Sequence, residues 1–264
     1  METGFIKGLS SEAYHSGPGV SKSDLSLILR SPLHYKAKEE AKDTPALLLG
    51  QAFHEYMLEP EKFKEDWHVT TKKTISKGQL PEDAMFKITA MQQAIFANET
   101  AYLMLAGQLE YELSLYWKDP IYDVLCKSRM DIFNTGGGNV VDIKTCQDAR
   151  PEAIRRDAYK FGWHLQAGWY LYGLSVATGV EHKLFYFIAV EKDAPHAVTV
   201  YQASDEMIQE GMIQCQKALE IYFECLQKNE WPGYSQGVVS LELPGWVKHK
   251  AKNEAFVGET VIFE

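Results

Sequence analysis

Residues 123–145 read DVLCKSRMDIFNTGGGNVVDIKT and contain two strands joined by a turn. The first strand is predicted over Asp123 to Phe133 and the second over Val140 to Thr145. The intervening NTGGGN supplies the asparagines and glycines that a tight hairpin requires. An alternating segment, Leu109 to Lys118, precedes this hairpin and carries Leu, Tyr and Trp residues on one face. The sequence therefore predicts a three-stranded meander.

Helical patterns precede the meander. Ser21 and Asp24 have the spacing of a capping box, which predicts a helix through Leu25 and Leu29 that ends at Ser31-Pro32. The remaining expectations for this half of the chain are an irregular arm over residues 1–20, a helix from Pro45 to Glu59, a basic loop over 60–80 that is either solvated or in contact with phosphate, and a helix that starts with Pro81 at its first position and runs through Ile95.

The second half of the chain alternates helices and strands. The predicted segments are a long helix from Pro151 to Ala177, a buried strand from Lys183 to Val190, a strand from Ala197 to Gln202 and an amphipathic helix from Ser204 to Lys228. This order predicts a mixed α/β (α+β) sheet flanked by helices in one domain. Its expected parts are a helical portion over 1–108, a sheet core over 109–202, and a helix and tail over 203–264.

Composition limits the possible classes of protein. The 264 residues are 45% hydrophobic with a net charge of -9, which excludes a disordered chain and argues against a protein that coats nucleic acid through bulk positive charge. A local basic channel remains compatible with that charge. The longest apolar stretches fall short of the roughly 18 residues that span a bilayer, and no signal peptide is evident, so a cytoplasmic location is expected. Four scattered cysteines argue against a zinc ribbon or an iron–sulfur cluster.

The pair Asp142 and Lys144 is the first candidate for chemistry, because residues two apart on a strand project from the same face. An acid-x-Lys triplet is weak evidence alone, since Glu40-Ala-Lys42 and Glu181-His-Lys183 also occur. Only the triplet at 142–144 lies in a hydrophobic strand that follows a tight hairpin.

Further carboxylates lie close to this pair in the predicted sheet. Asp131 is on the strand that enters the hairpin, and Glu112 is on the neighbouring strand. Clustered carboxylates repel one another and raise one another's pKa unless a cation such as Mg²⁺ or Mn²⁺ lies among them. The alternative is a set of ordinary ion pairs with Lys127, Arg129 and Lys144 on a solvated face of the sheet.

These residues resemble the core of the PD-(D/E)XK nucleases, and in particular the RecE-like (exodeoxyribonuclease VIII) branch, which is related to RecB nuclease domains and lambda exonuclease. The matching stretches are YHSGPGVSKS at 14–23, LGQAFH at 49–54, LEP at 58–60, ELSLYW at 112–117, RMD at 129–131, DIKT at 142–145 and HLQAGWY at 164–170. Met130 replaces the proline of the nominal motif. The order and approximate spacing hold from residue 10 to Trp231-Pro232.

The resemblance implies roles for individual residues. His54, which by itself cannot be told from a core histidine, matches a helix histidine that helps to bind metal. Asp131 and Asp142 match metal-binding acids, and Glu112 matches an acid whose role varies. Lys144 matches the lysine that orients or activates the attacking water and offsets charge on the phosphate. The remaining implied positions are Ile143 among the metal ligands, and Gln166 and Tyr170 as the Gln-x-x-x-Tyr motif beside the site.

Two basic segments are candidates for contact with DNA. One is the run Arg150, Arg155, Arg156 and Lys160 at the start of the helix after the catalytic strand, which is either a phosphate track or a solvated helix face. The other is the helix start Ser21-Lys22-Ser23, which by analogy with lambda-type exonucleases would receive a terminal 5′-phosphate. Ser21 is equally well explained as an N-cap.

The resemblance implies a restriction-endonuclease-like fold and an exonuclease that uses Mg²⁺, with Mn²⁺ as a substitute and no iron–sulfur cluster. Such an enzyme would degrade linear double-stranded DNA from its 5′ ends and leave 3′ tails for recombination by strand annealing. The implied assembly is a homo-oligomeric ring that works with a single-strand annealing recombinase, and a phage origin fits that pairing. The alternatives are an endonuclease on the same fold and an inactive protein that binds DNA ends.

Overall fold

The computed structural model describes residues 3–39 and 42–243, in which a six-stranded mixed sheet carries helices on both faces. The strands are β1 (Gly4–Ile6), β2 (His68–Thr70), β3 (Gln79–Pro81), β4 (Leu109–Lys118), β5 (Leu125–Asn134), β6 (Asn139–Cys146), β7 (Phe185–Glu191) and β8 (Val198–Gln202). The helices are α1 (Ser11–Ser16), α2 (Lys22–Arg30), α3 (Pro32–Lys36), α4 (Pro45–Leu58), α5 (Pro60–Asp66), α6 (Glu82–Ala97), α7 (Glu99–Met104), α8 (Pro151–Lys160), α9 (Trp163–Thr178) and α10 (Asp205–Lys228). The predicted fold class is confirmed.

The chain divides into two units. All of these elements belong to the unit that spans residues 1–232. The second unit begins at residue 233, and its described part, residues 233–243, forms no helix or strand. The rest of the predicted tail, residues 244–264, lies outside the described residues.

The predicted meander is confirmed. Strands β4, β5 and β6 are antiparallel neighbours, with Ser114 opposite Arg129 in the first pair. β7 then pairs with β6 in parallel, with Asp142 opposite Phe187. A parallel pair requires a crossover connection, which α8 and α9 supply. The sheet order is β1-β4-β5-β6-β7-β8, and β2 pairs with β3 in a separate parallel ribbon.

Several expectations for the flanking segments were wrong. Residues 1–20 are not an irregular arm, because β1 adds to the sheet edge beside β4 and α1 follows it. Residues 60–80 are not a loop, because α5, β2 and β3 lie within them. Pro81 is the N-cap of α6 rather than its first residue. The helix expected from Pro151 to Ala177 is two helices, because Gly162 adopts a left-handed conformation (φ 66°) between α8 and α9.

The sheet is buried on both faces. One core packs α2, α9 and α10 against the sheet through residues such as Leu25, Trp169 and Leu219. The other packs α4 and α6 against the opposite face through residues such as Phe53 and Ile88. Ser114 and Tyr116 of β4 are fully buried, so this part of the sheet has no solvated face. The four cysteines are buried free thiols.

Helices α9 and α10 cross in backbone contact. A Cβ atom added at Gly211 would lie 1.8 Å from the carbonyl oxygen of His164, and one added at Gly168 would lie 2.5 Å from the backbone nitrogen of Met212. Only glycine fits at such a crossing. The contact fixes α9, which carries Gln166 and Tyr170. Within the part of the chain that the structure describes, no helix combines the length and apolar character needed to cross a membrane.

Candidate active site

The ladder between β4 and β5 is interrupted at Glu112. Tyr111 pairs with Ile132 and Leu113 pairs with Met130, which places Glu112 opposite Asp131 without a pairing between them. Glu112 has a left-handed backbone with φ 47°. Such a conformation costs a residue with a side chain roughly 1–2 kcal/mol, and strain of this kind concentrates at functional sites.

Three potential metal ligands meet at this break. Ligand atoms of His54, Glu112 and Asp131 all lie within 4.8 Å of one another. His54 comes from α4, whose apolar side packs into the core, and its Nδ1 lies 3.3 Å from Asp131 Oδ2. The backbone N–H of Ile143 on β6 donates to the same oxygen of Asp131 at 3.1 Å. Three elements distant in sequence therefore converge on one position.

A second cluster adjoins the first on β6 and α9. Asp142 is 1% exposed, and its Oδ1 lies 2.5 Å from the Nζ of Lys144. Gln166 connects these two residues, because its amide nitrogen donates to Asp142 Oδ2 and its amide oxygen accepts from Lys144 at 3.0 Å. The Lys144 ammonium also lies 5.8 Å from the centre of the Trp163 ring. The acid-x-Lys pair is thus held by α9.

Burial and mutual repulsion perturb the titratable groups of the site. Burial, followed by the charge of Asp131, raises the pKa of Glu112 to about 7. The pKa of Asp131 is likewise raised, first by burial and then by the charge of Asp142. Burial lowers the pKa of His54, so its imidazole is neutral and can offer a nitrogen lone pair at neutral pH. Raised pKa values of neighbouring carboxyl groups indicate that a bound cation would stabilise this cluster of acids.

The donor set fits a divalent metal ion. A neutral imidazole and two carboxylates are suitable ligands, and a cation among them would remove the repulsion that raises their pKa values. Asp142 Oδ1 is buried and, apart from its ion contact with Lys144, makes no hydrogen bond. The triad of ligand atoms contains His54, Asp131 and Glu112, whereas both oxygens of Asp142 contact Lys144 or Gln166. The metal-binding roles expected for His54, Asp131 and Asp142 stay predictions. The contact observed for Ile143 is through its backbone.

Arg129 was not predicted as a site residue, although it supports the triad. Its Nε donates to Glu112, its Nη1 donates to the carbonyl of Leu9 at 2.6 Å, and its Nη2 lies 3.8 Å from Glu59. Two residues earlier on β5, Lys127 donates to the carbonyls of Tyr14 and Gly17. The charged residues at alternate positions 127, 129 and 131 of β5 were the sequence pattern that could have indicated this role. Two of the ion pairs considered as an alternative do form, Glu112 with Arg129 and Asp142 with Lys144. They lie in a buried site and not on a solvated face of the sheet.

Tyr170 lies one helical turn after Gln166 on α9 and is half-buried, with its ring 6.1 Å from that of Phe185. Burial, with the charges of Tyr14 and Asp142 adding to it, raises its pKa well above the usual value. The hydroxyl is therefore protonated at neutral pH. Its expected role beside the site stays a prediction.

The predicted phosphate-binding residues differ in their surroundings. Ser21 forms the capping box of α2 with Asp24. Lys22 donates to the carbonyl of Phe161 at 2.9 Å, and burial, followed by the charge of Lys144, lowers its pKa to about 8. The remaining members are the exposed Ser23, Arg155, Arg156 and Lys160, and Arg150, whose guanidinium is paired with Asp148. The charges of Lys144 and Asp142 therefore both act on Lys22.

The chain is similar to a protein family and to solved structures. Residues 21–243 match the model of a family described as a PDDEXK-like domain of unknown function (DUF3799). A crystal structure of a candidate exonuclease from Eubacterium rectale is 16% identical, with a TM-score of 0.66 over 93% of this chain and 99% of that one, and it shows the same fold. A phage related exonuclease from Haemophilus somnus 129PT is 12% identical over 83% of this chain and 100% of that one, with a TM-score of 0.39. No curated protein matches the sequence.

Proposed function

Because the chain belongs to the family of PDDEXK-like domains (DUF3799), within the PD-(D/E)XK nuclease superfamily, we propose that it is a metal-dependent exonuclease that degrades linear double-stranded DNA from its 5′ ends. The observation that carries the proposal is the meeting of the His54, Glu112 and Asp131 triad with the Lys144 and Asp142 pair. Family membership and this arrangement both support nuclease activity.

The residues of the site divide the work of phosphodiester hydrolysis. His54, Glu112 and Asp131 would hold the divalent cation, which when bound polarises the scissile phosphate and lowers the pKa of a water nucleophile. Lys144 would place its ammonium group against the phosphate, where negative charge develops. Gln166 fixes the position of that ammonium group, and Asp142 forms an ion pair with it.

The finer features of the proposal are supported by the resemblance to RecE-like enzymes. They are cleavage in the 5′ to 3′ direction, production of 3′ tails for recombination, Mg²⁺ as the usual metal with Mn²⁺ as a substitute, a homo-oligomeric ring, and a single-strand annealing recombinase as partner. A cytoplasmic location is proposed as well, since the four thiols are free and that compartment keeps thiols reduced. Lys22, beside the catalytic pair, is the proposed contact for a 5′-phosphate.

A digestion experiment tests the proposal. A 5′-phosphorylated linear duplex and the same DNA as a covalently closed circle are incubated with Mg²⁺, Mn²⁺ or EDTA. The proteins are the wild type, Asp142→Asn, and Asp123→Asn as a matched control whose side chain is exposed. We expect metal-dependent loss of the linear DNA alone. Asp142→Asn should abolish this loss, whereas Asp123→Asn should not. A label at the 5′ end of the duplex should be released earlier than a label at the 3′ end. Cutting of the circle would indicate an endonuclease, and cutting of neither DNA would contradict nuclease activity.

A further inference from the structure

Two large aromatic side chains are exposed at the junction of α8 and α9. Tyr159 is 76% exposed and Phe161 is 55% exposed. Tyr159 lies in the last turn of α8, and Phe161 follows the end of that helix. The side of α8 that carries the basic run is exposed, while Ile154 faces the core. Tyr159 and Phe161 are two residues apart in the chain, so two exposed rings lie close together at this junction.

The Tyr159 ring and the backbone at Phe161 are held in place. The Tyr159 ring stacks on that of His164, with centroids 5.5 Å apart and an interplanar angle of 12°. The backbone around Phe161 is fixed, because its N–H donates to Asp157 and the N–H of Gly162 donates to the carbonyl of Tyr159. One face of the Tyr159 ring is therefore covered and the remainder faces solvent. Such ordered rings can accept a planar partner at a small entropic cost.

The backbone that carries the two rings is connected to the proposed cleavage site. The carbonyl of Phe161 accepts a hydrogen bond from Lys22 at 2.9 Å, and Lys22 also lies beside Gly162. Two residues further along the chain, the Trp163 ring lies 5.8 Å from the Lys144 ammonium. The exposed aromatic segment is thus continuous with the residues that would bind the scissile phosphate.

Basic side chains surround the aromatic pair. Arg155, Arg156 and Lys160 are exposed on α8, and the Lys160 ammonium lies 5.2 Å from the centre of the Phe161 ring. α8 carries these three cations together with the acids Glu152 and Asp157, in a chain whose net charge is -9. Aromatic rings on which bases stack, interleaved with cations that follow the backbone, are the combination that binds single-stranded nucleic acid.

We propose that Tyr159 and Phe161 form a stacking platform for unpaired bases of the DNA strand that passes the cleavage site. This inference rests on the proposed nuclease function, and it adds a contact to the bases where only contacts to phosphates had been expected. Since every base has a π-face, the platform would bind strands of any sequence.

Binding measured in EDTA, where no cleavage occurs, tests the platform. The probes are a single-stranded oligodeoxynucleotide that contains 2-aminopurine, whose fluorescence falls on stacking, and an abasic strand of equal length and charge. We expect wild-type protein to quench the fluorescence and to prefer the strand with bases. Tyr159→Ala and Phe161→Ala should each weaken binding about tenfold and reduce the quenching. Tyr159→Phe should behave as wild type, and so should Tyr102→Ala, which removes a ring that is 57% exposed on α7.

The outcomes separate the platform from the nuclease function. If wild-type protein digests linear DNA but the two alanine variants bind and quench as it does, the platform is wrong and the nuclease function stands. If those variants lose binding and quenching while no DNA is cut with any metal, the platform stands and the nuclease function fails. Equal binding of the abasic strand, or an equal loss in Tyr102→Ala, would also overturn the platform.

Discussion

Gln166 and Asp142 are joined by a hydrogen bond from the side-chain amide to a buried carboxylate. Because the amide oxygen of the same side chain accepts from Lys144, the orientation of the amide is determined by its two partners. A single residue of α9 therefore sets the positions of both members of the acid-x-Lys pair. Gln166 acts through these partners and is a positioning residue.

Substitution of Gln166 should slow cleavage without a comparable loss of DNA binding. Gln166→Ala removes the link, and we expect a 10- to 100-fold lower kcat, roughly as for other groups that orient site residues. Gln166→Glu places a second carboxylate against Asp142 and should be slower still. Single-turnover cleavage and binding in EDTA measure the two effects, and a Gln166→Glu variant with normal kcat would contradict the role.

Lys144→Ala should abolish cleavage and leave DNA binding largely intact. We expect a loss of roughly 100- to 1,000-fold, as for removal of one group that stabilises developing charge. Lys183→Ala is the matched control, because Lys183 belongs to another acid-x-Lys triplet and pairs with Glu181 at the surface. Equal losses of binding and cleavage in Lys144→Ala would disprove this division of roles.

Arg129→Met should destabilise the protein, because it leaves Glu112 and the carbonyl of Leu9 without their buried partner. Breaking a buried ion pair costs about 3–5 kcal/mol. The double variant Arg129→Met/Glu112→Gln should recover part of this loss, since no uncompensated carboxylate then remains. Urea denaturation of the metal-free proteins measures the differences, and full additivity of the two substitutions would refute the coupling.

Glu112→Gly should be more stable than Glu112→Ala, which reverses the usual order in a strand. Glycine adopts the φ of 47° without the penalty that alanine pays, roughly 1–2 kcal/mol. Both variants lose the carboxylate, so their difference reports on the backbone alone. Thermal unfolding in EDTA makes the comparison, and a more stable alanine variant would show that the conformation relaxes at little cost.

The metal-free protein should lose stability as the pH rises from 6.5 to 8. The pKa of Glu112 is about 7 in the native state against 4.5 ordinarily, so the native state binds more protons than the unfolded state and the free energy of unfolding falls with pH. The raised pKa of Asp131 acts in the same direction. The lowered pKa of His54 acts oppositely, chiefly below about 6.5, and the pKa of Lys22, lowered to about 8, acts oppositely at the upper end of the range, so the fall in stability should be steepest near pH 7.

Thermal denaturation in EDTA across this range measures the slope. Glu112→Gln should flatten it, whereas Glu181→Gln, which alters an exposed acid, should not. Saturating Mn²⁺ should reverse the slope, because the metal binds the deprotonated carboxylates. An unchanged slope in Glu112→Gln would mean that another group is responsible.

The parts of the fold that were predictable depend on local signals. The capping box of Ser21 and Asp24 and the glycine-rich turn before β6 involve residues close in sequence, and both occur as expected. The strand positions of Asp131, Asp142 and Lys144 followed from the same patterns.

The remainder depends on contacts between distant residues or on single backbone angles. The pairing of Phe5 with Leu115 and the contact of Arg129 with Leu9 span more than a hundred residues, and no periodicity signals them. The break at Gly162 was missed because the helical pattern resumes immediately after it. The left-handed Glu112 was missed because alternation in β4 continues across it.

That left-handed residue also bears on how such a centre could be transplanted into another scaffold. A designer who grafted the His, Glu, Asp and Lys side chains onto a regular hairpin would place them on an uninterrupted ladder of hydrogen bonds. The equivalents of Glu112 and Asp131 would then be ordinary cross-strand neighbours. The interruption would have to be copied with them, and the host sheet would have to tolerate it. In this protein, the geometry of the candidate site is therefore encoded partly as a backbone irregularity, which side-chain motifs alone do not transmit.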